Sequence, residues 1–593
     1  MDKFTKFSVT FLILVTINFT SLAQQNIDTY QHFPNSGKSI TPIAWPVNLP
    51  YRRILNSPIT DYILITADSG WAKEYNLKFT ELNKDGFHYL QKAGRTSAGI
   101  KPWFIIYNKK TNHGISLLLA YPGNWKLDIQ PEKDRTKIHI RTSPQALPKL
   151  QKVKSMPIPG ALLSEFSGHF DYAAIPIKKF IRKNLSRQLP NDWPLIQYND
   201  YYATFGKFDE NLLIKAARNA AQIGCEVFTI DCGWYGSHEN WNILGDWTVN
   251  KNKLPKGLEP VINTVRNLGM KFGLWIEIES ANKDSKIAKQ HPDWMLPDTA
   301  MLGDRHTLNF GKNEVLEYAK SIIDRLMKDY NLDYIKMDYN TNPSKGSEKY
   351  IGAQDPIYNH YQGLLKLWKY MRKKYPHLII ENCSSGSLRH DASTAAFTDT
   401  HWTSDNIQNK SNLAINYGAT LLFPPETCSD WTVFPQRTEE NNALDTPSRF
   451  TINMTGHLGL SGKIWQWSEQ TKKIAAEKIA QYKKIRQFIK ISNVYHLTPQ
   501  PDYKNPDSVM ALQYNTPNSE CLMFVFHANA PELTAQIKLR ELKPETTYQI
   551  TFPDSFNSKQ ITAKGNLLTQ KGIKITFPQK ASSAIIKIIP LNQ

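Results

Sequence analysis

Apolar positions along the chain fall into three regimes. From about Asn26 to Pro176 they form short runs: Tyr62-Ile63-Leu64-Ile65, Trp103-Phe104-Ile105-Ile106-Tyr107 and Ile115-Ser116-Leu117-Leu118-Leu119. Clusters of Gly, Pro, Asn and Asp separate them, which predicts strands of an antiparallel sandwich. From about Leu189 to Leu497, apolar strands alternate with amphipathic helices. Val227 to Ile230 precedes a helix near Leu258 to Leu268, and Lys271 to Trp275 precedes one from Glu314 to Tyr330. Tyr334 to Met337 precedes a helix from Tyr358 to Lys374, and Leu378-Ile379-Ile380 follows it. Repeated βα units over such a length predict a (β/α)8 barrel with insertions. The tail returns to strands at Cys521 to Phe526, Ile573 to Phe577 and Ala584 to Ile589.

The predicted fold class is α/β: a central (β/α)8 barrel, an N-terminal β-sandwich and a small C-terminal antiparallel β-sandwich. Expected boundaries are 24–180 for the first sandwich, 181–497 for the barrel and 498–593 for the second. Residues 1–23 read as an address. Lys3 and Lys6 precede an apolar run from Phe7 to Phe19, and Ser21-Leu22-Ala23 has the small-x-small form of a cleavage site. The run is shorter than the ~20 apolar residues of a spanning helix and contains Thr10, Thr16 and Asn18. The expectation is a cleaved signal peptide and a secreted or periplasmic protein with no membrane span.

Composition narrows the function classes. Hydrophobic residues make up 41% and charged residues 21%, which suits a globular chain rather than a disordered one. The five cysteines, Cys225, Cys232, Cys383, Cys428 and Cys521, contain no C-x-x-C pair, so a zinc ribbon is excluded. The net charge is +19. Basic residues are spread over Lys178 to Arg187, Arg372 to Lys374 and Lys483 to Lys490 rather than gathered in one stripe, so no nucleic-acid partner is expected. Solvated helix faces account for most of this charge; attraction to an anionic polymer or a membrane surface is the other reading.

The apolar strands of the middle zone end in polar clusters: Asp231-Cys232-Gly233-Trp234, Glu277-Ile278-Glu279, Lys336-Met337-Asp338-Tyr339-Asn340 and Glu381-Asn382-Cys383-Ser384-Ser385-Gly386. Phe397-Thr398 leads to His401-Trp402-Thr403-Ser404-Asp405-Asn406. Each carboxylate alone reads as a helix cap. On successive strands they converge on the mouth of a barrel, where barrel enzymes keep their reactive groups. Paired carboxylates among aromatics point to glycosyl transfer: one attacks the anomeric carbon and the other protonates the leaving oxygen. Lys336, on the same strand face as Asp338, is placed to keep it ionised and to bind a sugar hydroxyl. No G-x-S-x-G elbow or phosphate-binding loop is present. His238-Glu239 and His390-Asp391 lack helical H-x-x-x-H spacing and read as turn residues, so no metal is expected.

From Pro194 to Lys483 the sequence resembles the glycoside hydrolase family 36 α-galactosidases, in the clan that also holds family 27. The resemblance rests on Phe228-Thr-Ile-Asp-Cys-Gly-Trp234, Gly245-Asp-Trp-Thr-Val-Asn250 with Leu254-Pro-Lys-Gly-Leu258, and Gly269-Met-Lys-Phe-Gly-Leu-Trp-Ile-Glu277. It continues through His291-Pro-Asp-Trp294, Tyr334-Ile-Lys-Met-Asp-Tyr-Asn340, Glu381-Asn-Cys-Ser-Ser-Gly386 with Arg389 and Asp391, and Trp402-Thr-Ser-Asp-Asn406. It implies Asp338 as nucleophile and Asp405 as general acid/base. It implies sugar binding by Asp231, Trp275, Lys336, Asn340, Cys383 and Arg305.

Such enzymes retain anomeric configuration through a covalent glycosyl-aspartate and use no cofactor. The implied partner is a galactoside-type carbohydrate ending in an α-D-galactosyl unit, and an oligomer is compatible with the resemblance. The alternatives are β-L-arabinopyranosidase or α-N-acetylgalactosaminidase specificity, or raffinose-synthase-like transglycosylation.

Four features depart from the family pattern. Cys232 stands where a second carboxylate is usual. Asn199-Asp200-Tyr201-Tyr202 replaces a Trp-Glu pair on the first strand, leaving Tyr201 as the aromatic wall. Met337 replaces a Trp, and the N-terminal sandwich is short.

Overall fold

A computed structural model describes residues 45–142, 160–237, 243–296, 304–343, 356–434, 444–553 and 560–591. The expected signal segment 1–23 and the pair His238-Glu239 lie outside the described residues.

Alternation along the N-terminal strands builds a two-layer sandwich. One sheet has six strands, in the order Trp45–Asn48, Gly160–Ser167, His113–Ala120, Gly99–Asn108, Tyr62–Gly70 and Lys73–Glu81. The other has four: Tyr51–Leu55, Arg135–Thr142, Trp125–Glu132 and Phe87–Gln91. Successive side chains of a strand point to opposite faces. Leu64, Phe104, Ile106, Leu117 and Leu119 therefore meet Trp125, Leu127, Ile129, Ile138 and Ile140 of the smaller sheet. Their neighbours Ile63, Ile65, Trp103, Ile105 and Leu118 turn the other way and join the core of the barrel unit. The runs read as continuous apolar strands because both faces are buried.

Eight parallel strands close the barrel in chain order. They are β1 Gln197–Asn199, β2 Val227–Ile230, β3 Lys271–Ile276, β4 Tyr334–Met337, β5 Ile379–Asn382, β6 Thr400–Trp402, β7 Cys428–Phe434 and β8 His457–Gly462. Strands buried on both faces lose polar alternation, which is why β2 and β4 stand out in the sequence. The helices Glu259–Asn267, Asn313–Tyr330 and Pro356–Lys374 lie where amphipathic spacing predicts them. Two expectations need correction. Phe397 and Thr398 precede β6 in a turn instead of opening a strand, and β1 ends at Asn199, so Tyr201 begins a short helix, Tyr201–Thr204.

The C-terminal unit is a six-stranded antiparallel sheet with a two-stranded sheet, Thr534–Ile537 and Ile573–Thr576, packed on it. Its first strand, Asn493–His496, follows the helix Glu469–Ile491 directly and pairs with Val509–Asn515. The unit thus begins before the expected boundary at 498.

The three units share one core. The helix Asn409–Leu422 is buried almost all round, and Gly418 lets it approach the first sandwich: a Cβ there would lie 2.1 Å from the carbonyl oxygen of Tyr75. Gln500, just after the C-terminal unit's first strand, accepts from the Leu77 amide (2.8 Å) and donates to the carbonyls of Tyr75 (2.9 Å) and Ala414 (2.7 Å). This junction fixes the first sandwich against the mouth of the barrel.

Candidate active site

Asp338 follows the last residue of β4 and is 8% exposed. Its Oδ2 accepts from the Asn340 amide (2.8 Å) and the Trp275 indole (3.2 Å), and its Oδ1 from the backbone amides of Tyr339 (2.7 Å) and Ser385 (3.3 Å). Burial raises its pKa, but the positive charge of Lys336 and these donors outweigh that and hold the carboxyl below its usual value. Asp338 is an ionised nucleophile candidate.

Lys336 acts on Asp338 through its field. Its ammonium pairs instead with Asp231 Oδ2 at 3.2 Å and lies 4.4 Å above the Trp431 ring of β7. Burial disfavours the charged amine, yet Asp231 and the surrounding acidic groups push its pKa well above the ordinary lysine value. Asp231 also accepts from the Asn199 side chain at 2.7 Å, and its own amide donates to Asp200 at 2.7 Å. Asp200 is buried and pushed up to about 7, chiefly by desolvation. The short helix after β1 thereby anchors the start of the β2 loop.

Cys232 and Cys383 lie beside these carboxylates, each 2% exposed. Burial first, then Asp231 for Cys232 and Asp338 for Cys383, push both thiols well above their usual pKa. Both are protonated sulfhydryls at neutral pH. Tyr201 is half-buried and meets Tyr202 edge-on at 5.2 Å, one wall of the mouth.

Glu277, after β3, organises a third group. Its carboxylate accepts from the Asn340 backbone (3.0 Å), the Asn340 side chain (2.8 Å), Ser280 (2.7 Å) and Arg305 (3.3 Å). Arg305 lies 3% exposed on a two-stranded ribbon, Ser280–Asn282 with Arg305–Thr307. Sequence reading named Asn340 and Arg305 but gave Glu277, which holds both, no role. Its signal was the alternation Trp275-Ile276-Glu277, which puts the carboxylate on the same side as the indole.

Asp405 lies in the loop after β6. Its Oδ1 accepts from the Trp402 indole at 2.9 Å and its Oδ2 from the Trp71 indole at 2.8 Å. Burial and the negative charge of Asp338 raise its pKa, and the two indoles only partly oppose them. The barrel mouth therefore carries two carboxylates pushed in opposite directions, as acid and nucleophile roles require.

Trp71 sits in the turn between the strands Tyr62–Gly70 and Lys73–Glu81, so the first sandwich reaches into the site. Three contacts join this hairpin to the loop. Beside the indole bond, Asn406 donates to the Ala72 carbonyl at 3.1 Å, and the Ser404 hydroxyl donates to Glu74. Tyr503 of the C-terminal unit bonds both Ala72 and Asn406. Glu74 is fully buried, and desolvation, with Asp405 nearby, lifts its carboxyl to about 8. None of Trp71, Glu74 and Tyr503 was singled out by the sequence. The available signal was a tryptophan in a tight turn, 63% exposed, between two buried strands.

His390 and Asp391 are occupied structurally. The His390 ring stacks between His401 (3.7 Å) and Phe423 (3.5 Å), and Asp391 caps the helix Ala392–Ala395. Arg389 pairs with Glu279 at 2.8 Å behind the site. Among the described residues no group of three or more His, Cys, Asp or Glu could hold a metal ion.

Comparison with known proteins agrees with the barrel fold and its flanking β units. Alpha-galactosidase 1 of Pediococcus pentosaceus is 31% identical over 384 residues, covering 62% of this chain and 51% of that enzyme, so the chain spans about half its length. Alpha-galactosidase AgaA of Geobacillus stearothermophilus is 25% identical over 558 residues, 90% of this chain and 75% of that one. The crystal structure of that enzyme, a GH36 α-galactosidase, has the same fold, with a TM-score of 0.80 at 22% identity over 91% of this chain and 76% of that one. A variant of it is solved in complex with raffinose. The family model for Melibiase matches residues 169–492, from the end of the first sandwich through the whole barrel, and the chain belongs to that family.

Proposed function

We propose that the chain is an exported α-galactosidase that removes terminal α-D-galactosyl residues with retention of anomeric configuration. The observation that carries the reading is the opposite bias of two carboxyls at one barrel mouth: Asp338 held low, Asp405 held high. In the first step Asp338 attacks the anomeric carbon as the bond to the leaving oxygen breaks, and Asp405 gives that oxygen its proton. In the second, water attacks the glycosyl-aspartate, Asp405 takes its proton, and Asp338 leaves as carboxylate. Asp231 and Lys336 are placed to bind ring hydroxyls, and Trp275 fixes Asp338 through its indole. The chemistry needs no metal or organic cofactor. The raffinose complex of the Geobacillus relative supports a raffinose-type oligosaccharide as substrate. The expected signal segment at residues 1–23 supports secretion or a periplasmic location.

A second reading concerns the glycone. Cys232 presents a neutral thiol where the family pattern has a carboxylate, so the pocket is less polar near C4 and C6. That favours a sugar with galactose's ring stereochemistry and no C6, a β-L-arabinopyranoside. A panel of aryl α- and β-glycosides, with product configuration followed by NMR, tests both readings. Release of α-galactose as the first-formed sugar supports the proposal. Release of β-galactose first, or turnover of no glycoside in the panel, refutes it. Adding acceptor sugars to the same assay exposes any transglycosylation.

A further inference from the structure

The outer face of the four-stranded sheet in the first sandwich carries charge that the reaction does not use. Alternation sends Trp125, Leu127, Ile129, Ile138 and Ile140 inward to the core and their neighbours outward to solvent. The outward set is Arg52, Lys126, Lys137 and Arg141, with His88 and His139, around one carboxylate, Asp128, and they line a shallow concavity of about 440 Å³. The register lays Arg52, His139, Asp128 and His88 in a row across all four strands, with Lys126 opposite Arg141 beside it.

Asp128 is shared among Lys126 (3.0 Å), His88 (2.8 Å) and Arg141 (3.8 Å), so it orders the cations without neutralising them. Arg52 Nε donates to His139 Nε2 at 3.4 Å, which leaves that imidazole neutral on this nitrogen. Lys137 also meets Glu132 at 3.5 Å, so four permanent cations against two carboxylates leave a local excess of two positive charges.

We propose that this face binds an anionic polysaccharide, one whose sulfate or carboxylate groups meet Arg52, Lys126, Lys137 and Arg141. Its shape and lining choose among polyanions. The floor is four strands wide, about 15 Å at ~4.8 Å per strand, so an extended sugar chain can lie across it. Among the described residues no Phe, Tyr or Trp lines it, and its two imidazoles are engaged by Asp128 and Arg52. Stacking on aromatics is how single-stranded nucleic acids and neutral glycan rings are held, so recognition here is by charge. The choice of a glycan rests on the glycosidase reading above. The sheet lies on the far side of the sandwich from the barrel, so the face acts as an anchor for a polymer and not as part of the cleavage site.

The test is affinity electrophoresis of the full chain in native gels containing dextran sulfate, polygalacturonate or neutral dextran. The quadruple variant Arg52→Gln/Lys126→Gln/Lys137→Gln/Arg141→Gln is compared with a control of equal charge loss at exposed sites elsewhere, Lys207→Gln/Lys366→Gln/Lys473→Gln/Lys484→Gln. Unchanged turnover of an aryl galactoside and an unchanged melting temperature show that both are folded. We expect retardation of the wild type by one or both anionic polymers and not by dextran, lost at high salt. We expect at least a tenfold weaker dissociation constant in the first variant and less than a twofold change in the control. Equal weakening in both variants, retardation by neutral dextran alike, or tighter binding to duplex DNA or to phosphatidylglycerol vesicles overturns the proposal. Binding is read without turnover, so its failure is told apart from a failure of the glycosidase reading on which the choice of a glycan rests.

Discussion

Replacing Trp71 with Phe removes one hydrogen bond from Asp405 and leaves the other. The Trp71 indole donates to Asp405 Oδ2 at 2.8 Å, and the Trp402 indole keeps its 2.9 Å bond to Oδ1. A hydrogen bond to a charged group contributes about 1.5–3 kcal/mol. Trp71 is 63% exposed, so water competes, and roughly half of that, about 0.75–1.5 kcal/mol, is the reasonable share. Because the indole stabilises the ionised form, its loss raises the pKa of Asp405 by about 0.5–1 unit at 1.36 kcal/mol per unit. Asp405 must be protonated for the first step, so the basic limb of the kcat/KM profile should move to higher pH by that amount. The assay is the pH dependence of kcat/KM on an aryl α-galactoside, with the melting temperature as control, since an exposed indole adds little to the core. A basic limb that stays in place or moves to lower pH would refute the placement of Trp71 on the acid.

Asp405→Ala should slow raffinose, with its poor leaving group, far more than a nitrophenyl galactoside, and should abolish the basic limb. Equal losses on both would mark Asp405 as merely structural. Cys232→Asp should restore a strong acceptor and shift the ratio of kcat/KM for aryl α-galactoside over aryl β-L-arabinopyranoside. A change under threefold, about 0.6 kcal/mol, would show that Cys232 only packs. Arg540→Met should destabilise the chain by ~3–5 kcal/mol at pH 7 in chemical denaturation. Its guanidinium contacts Asp171, whose buried carboxyl is held well below its usual pKa by His169, Arg540 and His496 against desolvation. A folded pKa below the unfolded one gives stability above pH ~4 that is lost as pH falls, so the difference from wild type should narrow in acid. A difference under 1 kcal/mol at pH 7 would contradict this.

The central barrel was legible because parallel strands buried on both faces are apolar throughout, as in Val227–Ile230 and Tyr334–Met337. The place of the candidate site was legible because a side chain just past such a run must sit at the barrel mouth: Asp231, Asp338 and Cys383 all do. β7 and β8 were not singled out, since the buried polar residues Ser429, Asp430, His457 and Ser461 break their apolar pattern. Lys336 was placed correctly, but its salt bridge to Asp231 depends on how β4 stands relative to β2, which no local pattern encodes. The hairpin of Trp71 and Glu74 was illegible for a related reason. Its contacts with Ser404, Asp405 and Asn406 join segments more than 300 residues apart, and only the docking of the sandwich brings them together.

The most direct test of the account is the identity of the residue that carries the sugar. The chain would be incubated with a 2-deoxy-2,2-difluoro-α-galactoside carrying a trinitrophenyl leaving group, whose fluorines slow both steps while the reactive leaving group restores the first, then digested and mapped by mass spectrometry. The account predicts one difluorogalactosyl group on the peptide containing Asp338, absent from the Asp338→Asn variant. A label on any other residue, or inhibition without a label, would contradict it.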